Sequence, residues 1–266
     1  MISRRKFLIL VTASAATMAT AKAFVFGETE EEMELKKLES ELSKYKWGMV
    51  IDVDKCTECI KELMEKTGAR SVEEVVPPCI KACNIANNVP EFEEERFKCY
   101  LMRVIEVRAT KDAEPLYMPV MCQECEYPAC VEVCPTKASY KRADGIIVID
   151  LHRCIGCRYC MVACPYDARK FLFKDPLEGL KQINPEAPIR KDGVVMKCEF
   201  CLWKIDRERA LGLEPKPVCV EACPKGALIF GNLNDPNSEI SKIIKTSKVI
   251  RIRAGLGTNP KVRYKL

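Results

Sequence analysis

The chain has 266 residues, 48% of them hydrophobic, enough to bury a core as one or two small domains. Its formal charge of +5 is local: residues 1–23 hold four basic side chains and no acidic one, and the remainder lies within one charge of neutrality. That balance leaves no global basic footprint and excludes a nucleic acid as partner.

Residues 1–23 read as an export signal, because Ser3-Arg4-Arg5-Lys6-Phe7-Leu8 is a twin-arginine pattern followed by a mild Ala/Thr/Leu stretch and Ala21-Lys22-Ala23. The apolar stretch is too short and Thr-diluted for an ordinary spanning helix. Cleavage after Ala23 and retention as an N-terminal anchor both fit. Residues 24–46 form an amphipathic helix with Leu35, Leu38, Leu42 and Tyr45 at three-and-four spacing, packed on its own domain. Its acidic start suits a helix N-terminus.

An internal repeat follows. Val50-Ile51-Asp52-Val53-Asp54-Lys55-Cys56 matches Val148-Ile149-Asp150-Leu151-His152-Arg153-Cys154 in register, which predicts a strand leading into a cysteine loop both times. Ile60 to Lys66 is a helix, broken before Pro77-Pro78. Tyr100 to Val107 is an apolar strand, with Cys99 a core thiol at its edge. Ser139–Lys141 and Ile146–Ile149 flank Ala143-Asp144-Gly145 as a hairpin. Three segments, from Cys134-Pro135, Cys164-Pro165 and Cys223-Pro224, run through Ala138, Ala168 and Ala227 into strands, and Pro stops the preceding short helix. Inserts at 60–78 and 202–218 are surface elaborations that could also dock a partner. Ser241 to Leu266 carries eight Lys or Arg and no acid, either a solvated strap or a contact for lipid headgroups.

The cysteines carry the chemistry. Cys154-x2-Cys157-x2-Cys160-x3-Cys164-Pro165 is the bacterial ferredoxin run: three thiolates on one tight loop hold three corners of a cubane, and the fourth reaches a second cluster. Looser copies are Cys122-x2-Cys125-x4-Cys130-x3-Cys134, Cys198-x2-Cys201 with Cys219-x3-Cys223, and Cys56-x2-Cys59 with Cys79-x3-Cys83. Sixteen of 17 cysteines are used, enough for four [4Fe-4S] clusters; only Cys99 is left over. Zinc sites close with two separated knuckles rather than three thiolates on one loop, and a disulfide framework need not repeat its spacing. Because the fourth cysteine serves the other cluster of its module, the two adjacent middle motifs pair. One cluster then takes Cys122, Cys125, Cys130 and Cys164, and its mate Cys154, Cys157, Cys160 and Cys134. The outer motifs pair across the chain, giving Cys56, Cys59, Cys79 with Cys223, and Cys198, Cys201, Cys219 with Cys83. The expected fold is α+β, with two interleaved ferredoxin-like modules of short strands and helices. Residues 47–110 with 190–231 form a discontinuous outer module, 111–189 a continuous inner one, and 232–266 a basic tail. The four clusters would lie in one line.

No G-x-G-x-x-G, G-x-x-x-x-G-K-[ST] or C-x-x-C-H occurs, so no dinucleotide or haem site is expected, and no catalytic residue. The lone His152, at the repeat position of Asp54, is an exposed loop residue rather than a ligand.

Pro119 to Thr136, with its Cys122-Gln-Glu-Cys125-Glu-Tyr-Pro-Ala-Cys130-Val-Glu-Val-Cys134-Pro run, and Gly231-Asn-Leu-Asn-Asp235-Pro-Asn-Ser resemble the four-cluster iron-sulfur subunits of molybdopterin, polysulfide reductase and NrfC-type complexes. The resemblance runs from about Trp47 to the C-terminus. Two departures stand out: Glu124 occupies a position usually held by His, and the first motif carries a long insert. The export signal and split first motif look most like the iron-sulfur subunit of the Dsr-type, heterodisulfide-reductase-like menaquinol-oxidising membrane complex. That resemblance implies the same interleaving and a non-catalytic electron-transfer subunit on the extracytoplasmic face. Its partners would be a polytopic quinol-interacting membrane subunit, a cytochrome c subunit and other iron-sulfur subunits. Clusters inserted before twin-arginine export reconcile an oxygen-sensitive cofactor with that address. The competing readings are the electron-entry subunit of a molybdopterin oxidoreductase and a zinc-stabilised interaction scaffold.

Overall fold

Strand β1 (Trp47–Asp52), buried along its whole length, is the centre of the fold. In the computed structural model, which describes residues 30–266, it pairs antiparallel with β8 (Leu228–Asn232) and parallel with β10 (Val262–Lys265), and β9 (Val249–Ile250) closes the edge. The first strand of the cysteine-bearing region thus lies between the last two long strands of the chain. Trp47 is stacked between Tyr45 and Phe230 at ring separations of 5.0 and 5.2 Å, and its indole N–H donates to buried Asp144.

Three two-stranded ribbons complete residues 44–266, which form one unit. They pair β2 (Met102–Val107) with β3 (Leu116–Met121), β4 (Ser139–Lys141) with β5 (Ile147–Ile149), and β6 (Lys170–Phe171) with β7 (Val195–Met196). The β4–β5 hairpin turns through Gly145 at φ +85°, as the Ala143-Asp144-Gly145 sequence predicts. The other two ribbons span the expected module boundaries at 110/111 and 189/190.

The internal repeat is structural. Asp52 N–H donates to Ala227 O at 2.8 Å, and at the matching repeat positions Asp150 N–H donates to Ala138 O at 2.7 Å. The strand entering one motif is therefore tied, in both modules, to the segment leaving its partner motif.

The sequence reading needs three corrections. Cys56 and Cys59 do not sit on a loop: helix α2 (Val53–Thr67) begins directly after β1, with the Asp52 carboxylate capping Lys55 N–H and Gly68 ending it at φ +70°. In the second copy the chain turns left-handed at Gly156, φ +68°, where Glu58 at the same repeat position continues helix α2. The basic segment is not an outer strap. Val262 and Tyr264 are fully buried in the central sheet, and Thr258 and Asn259 accept backbone N–H bonds from Tyr127 and Glu126 beside Cys125. The C-terminal segment is therefore hydrogen-bonded to the chain beside Cys125. Finally, helix α1 (Glu30–Ser43) forms as expected with Glu30, Glu31 and Glu32 in its first turn, but Leu35 and Leu38 of the expected packing stripe are exposed. The twin-arginine segment lies outside the described residues.

Candidate iron-sulfur centres

Short helices present the cysteines in pairs. In α3 (Pro78–Ala86), Cys79 and Cys83 are one turn apart; α3 packs on α7 (Val218–Glu221), which carries Cys219. The inner equivalents, α4 (Ala129–Glu132) with Cys130 and α5 (Tyr159–Val162) with Cys160, pack on each other. Three C-x2-C loops hold a left-handed residue just before the second cysteine, Glu124, Gly156 and Phe200. The exits do the same at Lys137, Asp167 and Gly226. Only two of these six are glycine, so the turn is imposed by the surrounding structure against the usual steric preference.

The cysteines converge in groups drawn from two motifs each. Cys83, Cys198, Cys201 and Cys219 line one cavity of about 280 Å³. Cys122, Cys125, Cys130 and Cys164 line a second, much tighter hollow, and Cys134, Cys154, Cys157 and Cys160 a third. In the remaining group, burial and then repulsion from Cys79, Cys59 and Cys223 push the Cys56 thiol up to about 12. Burial and then Cys223 push Cys79 to about 12 as well. All 17 cysteines are free thiols. Cys99, outside these groups, is half-buried against the carbonyls of Phe97 and Phe171, and burial pushes it to about 11.

The donor set fits iron-sulfur chemistry. Burial, followed by neighbouring thiolates, drives Cys83 and Cys219 well above the ordinary thiol range. Four crowded thiolates are therefore costly unless a cationic core neutralises them, and such a core displaces their protons on binding. The cysteines surround a volume rather than a point: among the described residues, no three His, Cys, Asp or Glu side chains are placed to hold a single metal ion. Donors aimed at sulfur are already in place. Asn87 Nδ2 lies 3.4 Å from Cys201 Sγ and 3.6 Å from Cys83 Sγ, with its own Oδ1 held by Trp203 Nε1. Ala227 N–H donates to Cys223 Sγ and, one residue further along the corresponding exit, Ser139 N–H donates to Cys134 Sγ. Burial raises Cys134, but bonds from Ser139 N–H and the Thr136 hydroxyl outweigh it and hold this thiol below its ordinary value.

Buried cations, which spacing arguments did not find, lie between the groups. Lys197 Nζ is 2.8 Å from Glu124 Oε1, with both side chains fully buried. It sits next to Cys198 of one group, and the charge of Cys122 in another holds it protonated against the cost of burial. This accounts for Glu124, the residue that departs from the resembling family: its second oxygen accepts Ile147 N–H at 2.6 Å, so the carboxylate closes a buried network. Arg190, also buried, donates to Asn87 O and is lowered by that burial. Arg169 reaches Cys130 Sγ at 3.0 Å. The available sequence signals were the adjacency of Lys197 to Cys198 and the place of Arg169 directly after the Cys164-Pro-Tyr-Asp-Ala exit.

Short strands and one-turn helices that gather thiols from paired C-x-x-C motifs define a ferredoxin-like [4Fe-4S] protein. Models of a 4Fe-4S dicluster domain match residues 113–176 and 146–224, a span that includes every motif cysteine except those of the first motif. The chain is 51% identical to the Hdr-like menaquinol oxidoreductase iron-sulfur subunit 1 of Archaeoglobus fulgidus, over 99% of this chain and 98% of that one. It is 37% identical to the menaquinone reductase iron-sulfur cluster-binding subunit of Nitratidesulfovibrio vulgaris, over 83% and 89%, and 33% identical to protein NrfC of Escherichia coli, over 98% and 93%. The chain belongs to this family of iron-sulfur electron-transfer subunits of oxidoreductase complexes, in which it is an electron-transfer component and not the catalytic one. The zinc-scaffold reading is set aside by that membership.

Proposed function

We propose that the chain holds four [4Fe-4S] clusters, on Cys56, Cys59, Cys79 and Cys223; on Cys198, Cys201, Cys219 and Cys83; on Cys122, Cys125, Cys130 and Cys164; and on Cys154, Cys157, Cys160 and Cys134. The observation that carries this is that three cavities are each ringed by three cysteines of one motif and the last cysteine of its partner. When bound, such a cluster takes up and releases one electron. The chain's own part is to hold the thiolates, exclude water and direct N–H donors at sulfur. These groups follow one another through the fold. Cys79 and Cys83 share α3, Lys197 stands between Cys198 and Cys122, and Arg169 joins Cys130 to Cys160, a sequence suited to passing single electrons end to end.

The chain relays those electrons between a quinol-interacting membrane subunit and a second redox subunit, a cytochrome c in this reading, as a peripheral protein on the extracytoplasmic face exported by the twin-arginine route. Near full-length similarity to an Hdr-like menaquinol oxidoreductase subunit supports this over a molybdopterin-linked role. Among the described residues no helix is long and apolar enough to cross a membrane. The test is anaerobic purification of the full-length chain with iron and acid-labile sulfide assays, where about sixteen irons are expected. Cys223→Ala should then alter the spectrum of the cluster on Cys56, Cys59 and Cys79 and spare that on Cys198, Cys201 and Cys219. A change confined to the latter refutes the interleaved assignment.

A further inference from the structure

After the shared Cys-Pro-x-x-Ala exit of three motifs the next residue is Ser139, Arg169 or Leu228. Leu228 is ordinary core, 3% exposed. Arg169, at the equivalent place in the inner module, is a guanidinium only 2% exposed. Its Nη2 lies 2.7 Å from the hydroxyl of Ser139, its own repeat mate, and 3.0 Å from Cys130 Sγ, and the side chain also hydrogen-bonds the Cys160 thiol. Cys130 and Cys160 belong to different cysteine groups. Among the described residues, Arg169 is the one that lines both inner hollows.

Arg169 lacks the counter-charge that a buried cation requires. No Asp or Glu is paired with it among the described residues, and its Nη1 is buried without a hydrogen-bond partner. An unpaired guanidinium costs several kcal/mol to remove from water. Of the other buried cations, Lys197 is matched by Glu124 and forms a neutral pair, and Arg190 lines only the cavity of Cys83, Cys198, Cys201 and Cys219. The anions left to Arg169 are the thiolates on either side of it.

We propose that Arg169 is the shared counter-charge of the two inner clusters and raises the reduction potential of both. Adding an electron adds negative charge, and a fixed cation in contact with a ligand sulfur of each cluster stabilises the reduced form of both. This rests on the cluster assignment above.

The experiment compares the anaerobically purified full-length parent, Arg169→Gln and Arg169→Lys by iron content and by dithionite titration followed by electron paramagnetic resonance. In Arg169→Gln, two of the four signals should lose at least tenfold in their reduction equilibrium, a fall of 59 mV for one electron. The other two should not move, and Arg169→Lys should recover at least half of the fall. Loss of iron in Arg169→Gln that Arg169→Lys restores also supports a charge requirement. No shift, a shift in one signal only, equal shifts in both variants, or iron loss in both overturns it. A parent with far fewer irons than four cubanes would instead overturn the cluster assignment.

Discussion

Replacing Lys197 by Met removes one member of an ion pair from which water is wholly excluded. Nζ gives up Glu124 Oε1 and Cys198 O, both at 2.8 Å, and the Glu124 carboxylate is left buried with only Ile147 N–H on its other oxygen. The intact pair adds little net stability, because desolvation of two charges offsets their attraction. Removing one partner strands the other at roughly 3–5 kcal/mol. At about 2–4 °C per kcal/mol for a domain of this size, Lys197→Met should melt about 6–20 °C below the parent. Anaerobic calorimetry on preparations of matched iron content measures this. A Glu124→Leu, Lys197→Met double variant should recover most of the loss, since no unpaired charge remains. A single-variant shift within about 2 °C of the parent, or losses that simply add, would refute the reasoning.

Gly156→Ala places a Cβ 2.2 Å from Gly193 O at φ +68°, so the loop must move; about four of the sixteen irons, those of the Cys154 group, should be lost, as read by iron assay. Tyr264→Ala should cost roughly 3–5 kcal/mol in thermal unfolding, because this fully buried ring also donates its hydroxyl to Pro119 O; a residue on an outer strap would tolerate the change. Changing Arg4 and Arg5 together to Lys should leave the protein in the cytoplasm with its clusters intact, as checked by cell fractionation and iron content, whereas normal export would mean the N-terminus is not a twin-arginine signal.

Cysteine spacing alone made the chemistry legible. Three thiols within seven residues can reach a common core only through local geometry, and local geometry is what sequence encodes. The repeat of Asp52 and Asp150 before the first cysteine was equally readable, and it corresponds to one hydrogen bond made twice. The class of fold followed from those motifs. Tertiary structure decided what spacing cannot encode. The C-terminal segment looks like a solvated basic run, because its alternate residues Val262 and Tyr264 show their burial only once β1 and β8 offer a sheet to enter. The helical course of Cys56 to Cys59 could not be read from the residue between them, because Glu124 at the same place takes the left-handed turn that Glu58 does not. Arg169 and Lys197 carry no motif at all. A buried cation is recognised by the anions around it, and those come from cysteines and carboxylates that are distant in sequence and meet only in the folded chain.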